Sequence, residues 1–170
     1  MPNRMDSMLS QGMGKVKGAR ARLAGLVGVF KTLAAQHGEV TVLLERAKSS
    51  DEKFTELWPT IRRELISHEK AEVREVYPAL RAHEVTRRLA DHHDTEAAQL
   101  EQMIAAIDGL GIGSPARRDL FQRLIDTVVH HAHEEESEIF PRAQDAIGKD
   151  QAEVLDARFV TAKQQIAQAV

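Results

Sequence analysis

One short pattern of residues occurs twice in the chain: a histidine, a glutamate four positions later, and an aromatic residue followed by proline, starting five positions after the glutamate. The two copies are His68, Glu72 and Tyr77-Pro78, and His131, Glu135 and Phe140-Pro141. Residues four positions apart lie on the same face of an α-helix, so each copy directs an imidazole and a carboxylate to one point. Two such helices packed face to face would bring together nitrogen and oxygen ligands that suit a pair of metal ions.

The alternative interpretation of each pair is an ion pair on a helix surface, which is common and contributes little to stability. That interpretation predicts charged side chains away from the apolar face of the helix. Both pairs instead continue an apolar period, which runs through Leu65 in one helix and Val128 in the other. Unpaired charge is costly at such positions, so the pattern favours a metal site.

Two further histidines are placed to join this site. His37 continues the apolar face of the first predicted helix; alone it is typical of a core histidine, but its height along the helix favours a ligand. His93 has apolar residues four and seven positions later, whereas His92 has a glutamate four positions later, which favours His93. The predicted metal ligands are His37, His68, Glu72, His93, His131 and Glu135, with His92, Glu96 and Glu136 in reserve.

The elements that position these residues are predicted to be long helices. Apolar periods of three and four residues predict a first helix over about 19–48, which Ser49-Ser50-Asp51 ends while supplying a cap for the second. The second helix runs from Asp51 through a kink at Pro59 to a bend or end at Tyr77-Pro78. A third is predicted over about 83–108 and a fourth from Pro115, with Ser114 as its cap. Asp150 and Glu153 resemble a capping box that opens a fifth helix. The predicted fold is all-α: an antiparallel up-down four-helix bundle (19–148) with an additional C-terminal helix (149–170) and a flexible tail (1–18).

The composition narrows the function classes. With 170 residues, 42% hydrophobic and 29% charged, the sequence is typical of one globular domain, and the lack of cysteine excludes disulfides and thiolate ligands. A net charge of -3 without a basic patch interleaved with aromatics argues against a nucleic-acid partner. No apolar run is long enough to span a membrane, and we expect a cytoplasmic protein. A homo-oligomer or protein partner would use the N-terminal tail or the C-terminal helix.

The order of the predicted ligands resembles that of the hemerythrin-like HHE cation-binding domains. Their helices carry a histidine, then His-x-x-x-Glu, then a histidine, then His-x-x-x-Glu. The matching positions are His37, His68 with Glu72, His93, and His131 with Glu135. The resemblance implies a four-helix bundle that holds two iron ions, with manganese or zinc as substitutes, joined by carboxylate and oxo- or hydroxo-type bridges.

Two positions depart from the oxygen-carrying members of that family. Those proteins have a second histidine four residues after the third-helix ligand, where this chain has Ala97, and an aspartate where it has Glu136. The resemblance therefore implies an open coordination shell. It favours a protein that binds or turns over O₂, peroxide or nitric oxide in stress defence or sensing, over reversible oxygen carriage. The alternative is a non-catalytic iron-binding or sensing module, or an iron store.

Residues around the predicted ligands have supporting roles. Ligating histidines usually donate their second N–H to a carboxylate or carbonyl, and Glu69, Glu96, Glu134 and Glu138 are the candidates for that role. If Tyr77 faces inward, it can donate a hydrogen bond or an electron to the site. A plain packing role is favoured, because Phe140 occupies the matching place in the other copy of the pattern.

Overall fold

A computed structural model describes residues 25–170, and within that range every regular element is helical. Eight α-helices are numbered in chain order, and two short π-helical segments interrupt them. The α-helices are α1 (Gly28–Lys48), α2 (Asp51–Ala71), α3 (Tyr77–Arg81), α4 (Glu84–Ala90), α5 (His93–Asp108), α6 (Pro115–Glu134), α7 (Phe140–Ile147) and α8 (Lys149–Ala167). The π segments are Glu72–Val76, which we call πA, and Glu135–Ile139, which we call πB.

The first helix begins later than the sequence predicts. Residues 25–27 are not helical, and Gly25 and Gly28 both have positive φ angles, 94° and 54°. An uninterrupted helix over 19–48 is therefore wrong, since the chain enters α1 through a turn that glycine accommodates. The predicted tail (1–18) lies outside the described residues.

Two predicted helix caps are confirmed and one is wrong. The Ser50 side chain accepts a hydrogen bond from the Lys53 N–H at 3.1 Å, and Ser114 accepts one from the Arg117 N–H at 3.2 Å. Such bonds satisfy N–H groups that have no partner within the helix. The predicted Asp150 capping box does not form, because α8 starts at Lys149 directly after Gly148, with no side-chain cap.

The repeated pattern of the sequence is also a repeated backbone feature. Helix α2 continues through Pro59, and at Glu72 it passes into πA without ending. The Tyr77 N–H bonds to the Glu72 carbonyl, and the Phe140 N–H bonds to the Glu135 carbonyl, both across five residues. A proline inside a regular α-helix removes an N–H and clashes with the preceding turn. The wider π turn precedes each proline, so the chain does not end its helix at Tyr77-Pro78 but stays helical through πA into α3.

The third predicted helix is broken in two. Helix α4 ends at Ala90, and α5 begins at His93 after a short turn. The Arg81 guanidinium donates to the Ala90 carbonyl at 3.3 Å and pairs with Asp94 at 2.6 Å. One side chain thus spans the break, and His93 becomes the first residue of α5.

The long helices pack around two apolar clusters. Helix α1 contacts α2, α6 and α8, and α5 contacts α2 and α6. One cluster includes Phe30, Leu80 and Phe159, and the other includes Leu44, Ile61 and Leu124. A layer of buried histidines and glutamates occupies the space between these clusters. Among the described residues, no helix combines the length and apolar character that crossing a membrane requires.

Candidate metal centre

The first group of candidate ligands comes from α1, α2 and the first residue of each π segment. The His37 and His68 Nε2 atoms are 3.2 Å apart. The His37 Nε2 lies 3.3 Å from Glu135 Oε2, and the His68 Nε2 lies 3.3 Å from Glu72 Oε2. We call these four residues cluster 1, and their ligand atoms converge as the sequence predicts for a metal site.

The second group, cluster 2, contains Glu69, Glu72, His93 and His131, each of which offers a ligand atom within 4.8 Å of the others. The Glu69 carboxylate oxygens lie 3.7 Å from His93 Nε2 and 3.7 Å from His131 Nε2. Glu72 belongs to both clusters, because its Oε2 is also 3.8 Å from His93 Nε2.

Glu135 is the second carboxylate that joins the clusters. Its Oε2 lies 3.3 Å from His37 Nε2 and 3.5 Å from His131 Nε2, and its Oε1 lies 3.5 Å from His93 Nδ1. The two glutamates of the repeated pattern therefore stand between two sets of imidazoles. This is the position that bridging ligands of a two-metal site require.

Clusters 1 and 2 contain buried polar atoms that have no hydrogen-bond partner. All the side chains of both clusters are buried, and their exposed fractions range from 0% for Glu72 and Glu135 to 7% for His131. The unpartnered atoms here are Glu69 Oε2, both Glu72 carboxylate oxygens, both His93 ring nitrogens, His131 Nε2 and Glu135 Oε2. Buried polar groups are nearly always satisfied in native proteins. Carboxylate and imidazole lone pairs facing one another fit a bound cation of the iron, manganese or zinc type.

Burial and neighbouring charges shift the pKa values of the three carboxyl groups in the clusters. Burial raises the pKa of Glu69 to about 7. Burial and the neighbouring Glu135 and Glu69 raise the pKa of Glu72 well above its ordinary value. Burial alone would also raise the pKa of Glu135, but His131 and His37 hold it well below its usual range. Without a metal, protons on the imidazoles and carboxylates therefore offset the negative charge.

The imidazoles divide into two kinds. Burial alone would lower the pKa of both His37 and His131, but their glutamate partners raise it to about 9 for His37 and about 10 for His131. Burial lowers the pKa of His93 to about 4, and burial together with His37 lowers the pKa of His68 well below its ordinary value. His68 and His93 are thus neutral near pH 7, the form that binds a metal.

Three of the histidines have a partner on the side facing away from the cluster. The His37 Nδ1 lies 3.1 Å from Glu136 Oε1, the His131 Nδ1 lies 3.2 Å from Glu96 Oε2, and the His68 Nδ1 lies 3.0 Å from Gln36 Oε1. An N–H donated from Nδ1 leaves the Nε2 lone pair directed into the cluster. The reserve residues Glu96 and Glu136 thus contact the histidines from outside.

Tyr77 has a larger role than the sequence predicts. Its hydroxyl donates a hydrogen bond to Glu135 Oε1, and its ring stacks on His93 with centroids 3.5 Å apart and an interplanar angle of 6°. The expectation of a plain packing residue is therefore wrong. Phe140, its counterpart in the other copy of the pattern, stacks on His37 at 5.9 Å.

The structure places the reserve histidine, His92, outside both clusters and places one further carboxylate, that of Glu69, inside cluster 2. His93 is 1% exposed, whereas His92 is exposed on the surface. Glu69 was expected to hold a histidine from outside, but its carboxylate lies inside cluster 2 with the ligand atoms. Glu138 is exposed and Glu134 is half-buried, and neither belongs to cluster 2.

A cavity of about 270 Å³ is lined by residues of both clusters. Its polar surface includes His37, His68, Glu69 and His131, and its apolar surface includes Val40, Leu43, Leu65 and Val128. A small molecule in this space would contact ligands of both clusters.

The hemerythrin HHE cation-binding domain model matches residues 28–143, and the chain belongs to that family. The family is one of cation-binding domains, and the matched segment contains all the residues of both clusters.

One curated relative, named a DNA nickase, comes from Nostoc sp. and is 25% identical over 170 aligned residues, which cover 91% of this chain and 48% of the relative. The chain thus spans about half the length of that relative. No solved structure matches the chain.

Proposed function

We propose that the chain is a non-heme di-iron protein that binds or turns over O₂, peroxide or nitric oxide, in oxidative or nitrosative stress defence or sensing. The observation that carries the proposal is the pair of adjacent buried clusters that share Glu72 and Glu135. Helices α1, α2, α5 and α6 would form the antiparallel four-helix bundle and α8 the additional helix. The contacts of α1 with α2 and α6, and of α5 with the same two helices, support this arrangement.

The donor set supports iron without selecting it uniquely. His37 and His68 would hold one ion, and Glu69, His93 and His131 would hold the other, with Glu72 and Glu135 shared. Two iron ions bound there would supply one-electron and two-electron chemistry towards a small ligand. The chain's own residues orient the imidazoles through Glu136, Gln36 and Glu96, and the Tyr77 hydroxyl fixes Glu135.

The surroundings can admit a small ligand. The cavity beside the clusters is about 270 Å³ and has both polar and apolar lining residues, which gives a diatomic molecule or peroxide room beside the candidate ligands. Ala97 is buried, where an oxygen carrier has a further histidine, so one imidazole fewer faces the centre. Glu69 compensates for part of this loss with a carboxylate.

The test of ligand chemistry is an anaerobic titration of the iron-loaded protein with O₂, hydrogen peroxide or nitric oxide, followed by near-ultraviolet and visible absorption. We expect new charge-transfer bands that saturate at a fixed ratio to iron. A protein that binds iron but shows no spectral change and no turnover with any of the three ligands would instead be a non-catalytic iron-binding module or store.

The similarity to the protein named DNA nickase supplies a second candidate, metal-assisted cleavage of one DNA strand. The clusters argue against it, because their side chains are at most 7% exposed and a phosphodiester backbone needs an open site. Supercoiled plasmid incubated with iron-, manganese- or magnesium-loaded protein tests this candidate. Conversion to the open circle that disappears in a His68→Ala variant would establish it over the first proposal.

A further inference from the structure

The C-terminal helix reaches a neighbour of the candidate metal centre through a side chain outside the family-matched segment. Lys163 of α8 donates from Nζ to Gln36 Oε1 at 2.8 Å and to Glu64 Oε2 at 2.8 Å. Its side chain is only 16% exposed, so the ammonium group is held between α1 and α2 and is not freely solvated. The family match ends at residue 143, twenty residues before this lysine in the sequence.

The same glutamine oxygen accepts from His68. The Gln36 Oε1 lies 3.0 Å from His68 Nδ1 and 2.8 Å from Lys163 Nζ. An amide can present either its oxygen or its NH₂ group to a neighbour. The NH₂ group would face the lysine ammonium with donor against donor, so Lys163 determines which end of the amide His68 meets.

The consequence for His68 is a defined tautomer. When the Nδ1–H donates to Gln36, the Nε2 lone pair is directed at cluster 1, where it lies 3.2 Å from His37 Nε2 and 3.3 Å from Glu72 Oε2. A second residue of α8 restrains the same ring, because Phe159 meets it edge to face with centroids 5.8 Å apart. Phe159 and Lys163 are four positions apart and lie on one face of α8.

His68 differs in this respect from the other two histidines that have an outer partner. His37 and His131 meet carboxylates, Glu136 and Glu96, which need no orientation because either oxygen accepts. A neutral amide needs a second contact to fix it. Lys163 provides that contact, and Glu64 holds the lysine from α2, one helical turn before His68.

We propose that Lys163 is a positioning residue of the metal centre, which fixes the Gln36 amide and thereby holds His68 with Nε2 facing the metal. The C-terminal helix is then part of the site and not only a support for the bundle. This inference rests on the proposed metal centre.

The test measures zinc affinity of the full chain by competition with a chromogenic chelator, using Zn²⁺ alone as the probe. Outer partners of metal-bound histidines typically contribute 10- to 100-fold in affinity. We expect Lys163→Met to weaken zinc binding by about tenfold, near the lower end of that range, and Gln36→Leu to weaken it by at least as much. Lys163→Arg keeps a cationic donor and should restore most of the affinity.

Arg158→Met is the matched control. Arg158 also lies on α8 and also pairs with the body of the protein, through Glu75 at 2.9 Å, but it does not touch Gln36. We expect this variant to keep the wild-type zinc affinity even if it weakens the docking of α8. Equal losses of affinity in Lys163→Met and Arg158→Met would overturn the proposal, because α8 would then act only by packing.

The double variant Gln36→Leu/Lys163→Met separates a chain of contacts from two independent effects. If Lys163 acts through Gln36, the double variant binds zinc as well as Gln36→Leu alone, since contacting residues are non-additive. Additive losses would overturn the proposal while leaving the metal centre intact. A wild-type protein that does not bind zinc at all would overturn the proposed metal centre, and this inference with it.

Discussion

Glu72 and Glu135 are the residues on which the two clusters depend, because each faces imidazoles of both. Glu69 is the third buried carboxylate, and its oxygens face His93 and His131 of cluster 2 alone. This asymmetry assigns different consequences to the loss of each carboxylate.

Replacing Glu69 with glutamine should therefore affect one ion. The amide keeps the shape of the side chain but offers a weaker, neutral oxygen. We expect Glu69→Gln to retain cluster 1 and to bind the ion of cluster 2 at least 10-fold more weakly, a loss typical of a metal-site residue. Stepwise zinc or iron titration measures both affinities. Glu101→Gln is the control, since Glu101 pairs with Lys70 on the surface at 3.4 Å; a similar loss in both variants would contradict the assignment.

Metal binding should release protons near pH 7. His37 and His131 have pKa values raised to about 9 and about 10 in the metal-free protein, so both must lose a proton to become ligands. Calorimetry of zinc binding in buffers of different ionisation enthalpy measures the release. We expect the apparent enthalpy to vary with the buffer and the affinity to rise between pH 7 and about 9. An enthalpy that is independent of the buffer would contradict this.

His37 and His131 also make the stability of the metal-free protein depend on pH. This stability falls as pH rises, whereas the metal affinity rises. A histidine with a raised pKa contributes stability that is complete below its ordinary value of 6.5 and is lost as pH rises through its folded value. For His37 and His131 those values are about 9 and about 10. Alkaline pH thus weakens the metal-free fold while it strengthens metal binding.

All six predicted ligands lie in the clusters. The spacing of four residues places each His-Glu pair on one helix face, and the apolar periods place His37 and His93 on the buried faces of α1 and α5. Glu69 was not predicted as a ligand, and helix geometry explains why. A residue one position after His68 points about 100° away around the helix, so its place in the site depends on α5 lying on that side. Tyr77 was misjudged because its hydroxyl contact is with the other copy of the pattern.

At the scale of the elements, each copy of the pattern is a helix with a π turn that starts at the shared glutamate. Single π turns inside α-helices are often found at functional sites. Here they place the aromatic residue after each turn against a histidine of the other half, Tyr77 on His93 and Phe140 on His37. The proline explains why each helix does not keep its regular period, but no residue pattern directly indicates the π turn itself.

The start of α1 depends on the absence of a side chain at Gly28. A Cβ there would overlap the carbonyl group of Ala152 in α8 and lie 2.7 Å from the Glu153 nitrogen, and the φ angle is 54°. We expect Gly28→Ala to lower the free energy of unfolding by about 3 kcal/mol, as other overpacked sites do. Denaturant unfolding of the metal-free protein measures the change.

Gly38→Ala is the matched control for that variant. Gly38 lies on the same helix, and an added Cβ would meet nothing within 4 Å. Alanine is the better helix former, so this variant should gain about 0.5–1 kcal/mol. A Gly28→Ala protein as stable as the wild type would mean that α1 and α8 do not pack as described.

Elements whose ends depend on local chemistry were predictable, and those fixed by contacts across the fold were not. The Ser50 and Ser114 caps follow from residues adjacent to each helix. The break between α4 and α5 is spanned by Arg81, which comes from an earlier helix. The capping box at Asp150 failed because Gly148, two residues earlier, occupies the N-cap position and α8 starts at Lys149.

At the scale of the molecule, the candidate metal centre lies between two apolar clusters, and its residues come from the helices that enclose them. Without a cation, protons on His37 and His131 offset part of the negative charge of the opposed carboxylates. A ligand that binds only the folded state adds about 2.7 kcal/mol of stability at 100 times its Kd. For a chain of this length that corresponds to a rise in Tm of roughly 5–10 °C.

Thermal unfolding with and without a chelator measures this contribution. We expect the chelator to lower the Tm of the metal-loaded wild type by that amount. A His68→Ala/His131→Ala variant should show no such shift, because it lacks one imidazole from each cluster. An identical Tm with and without chelator in wild type would indicate a metal-free bundle.

The most direct measurement of the central claim is the iron content of the protein purified anaerobically. Two clusters with shared carboxylates require about two irons per chain in the wild type, as expected of a two-metal site. The His68→Ala/His131→Ala variant should lose them, while a variant of the exposed His92 to alanine should keep both. Absence of iron from the wild type after reconstitution, or its retention in the double variant, would contradict the account.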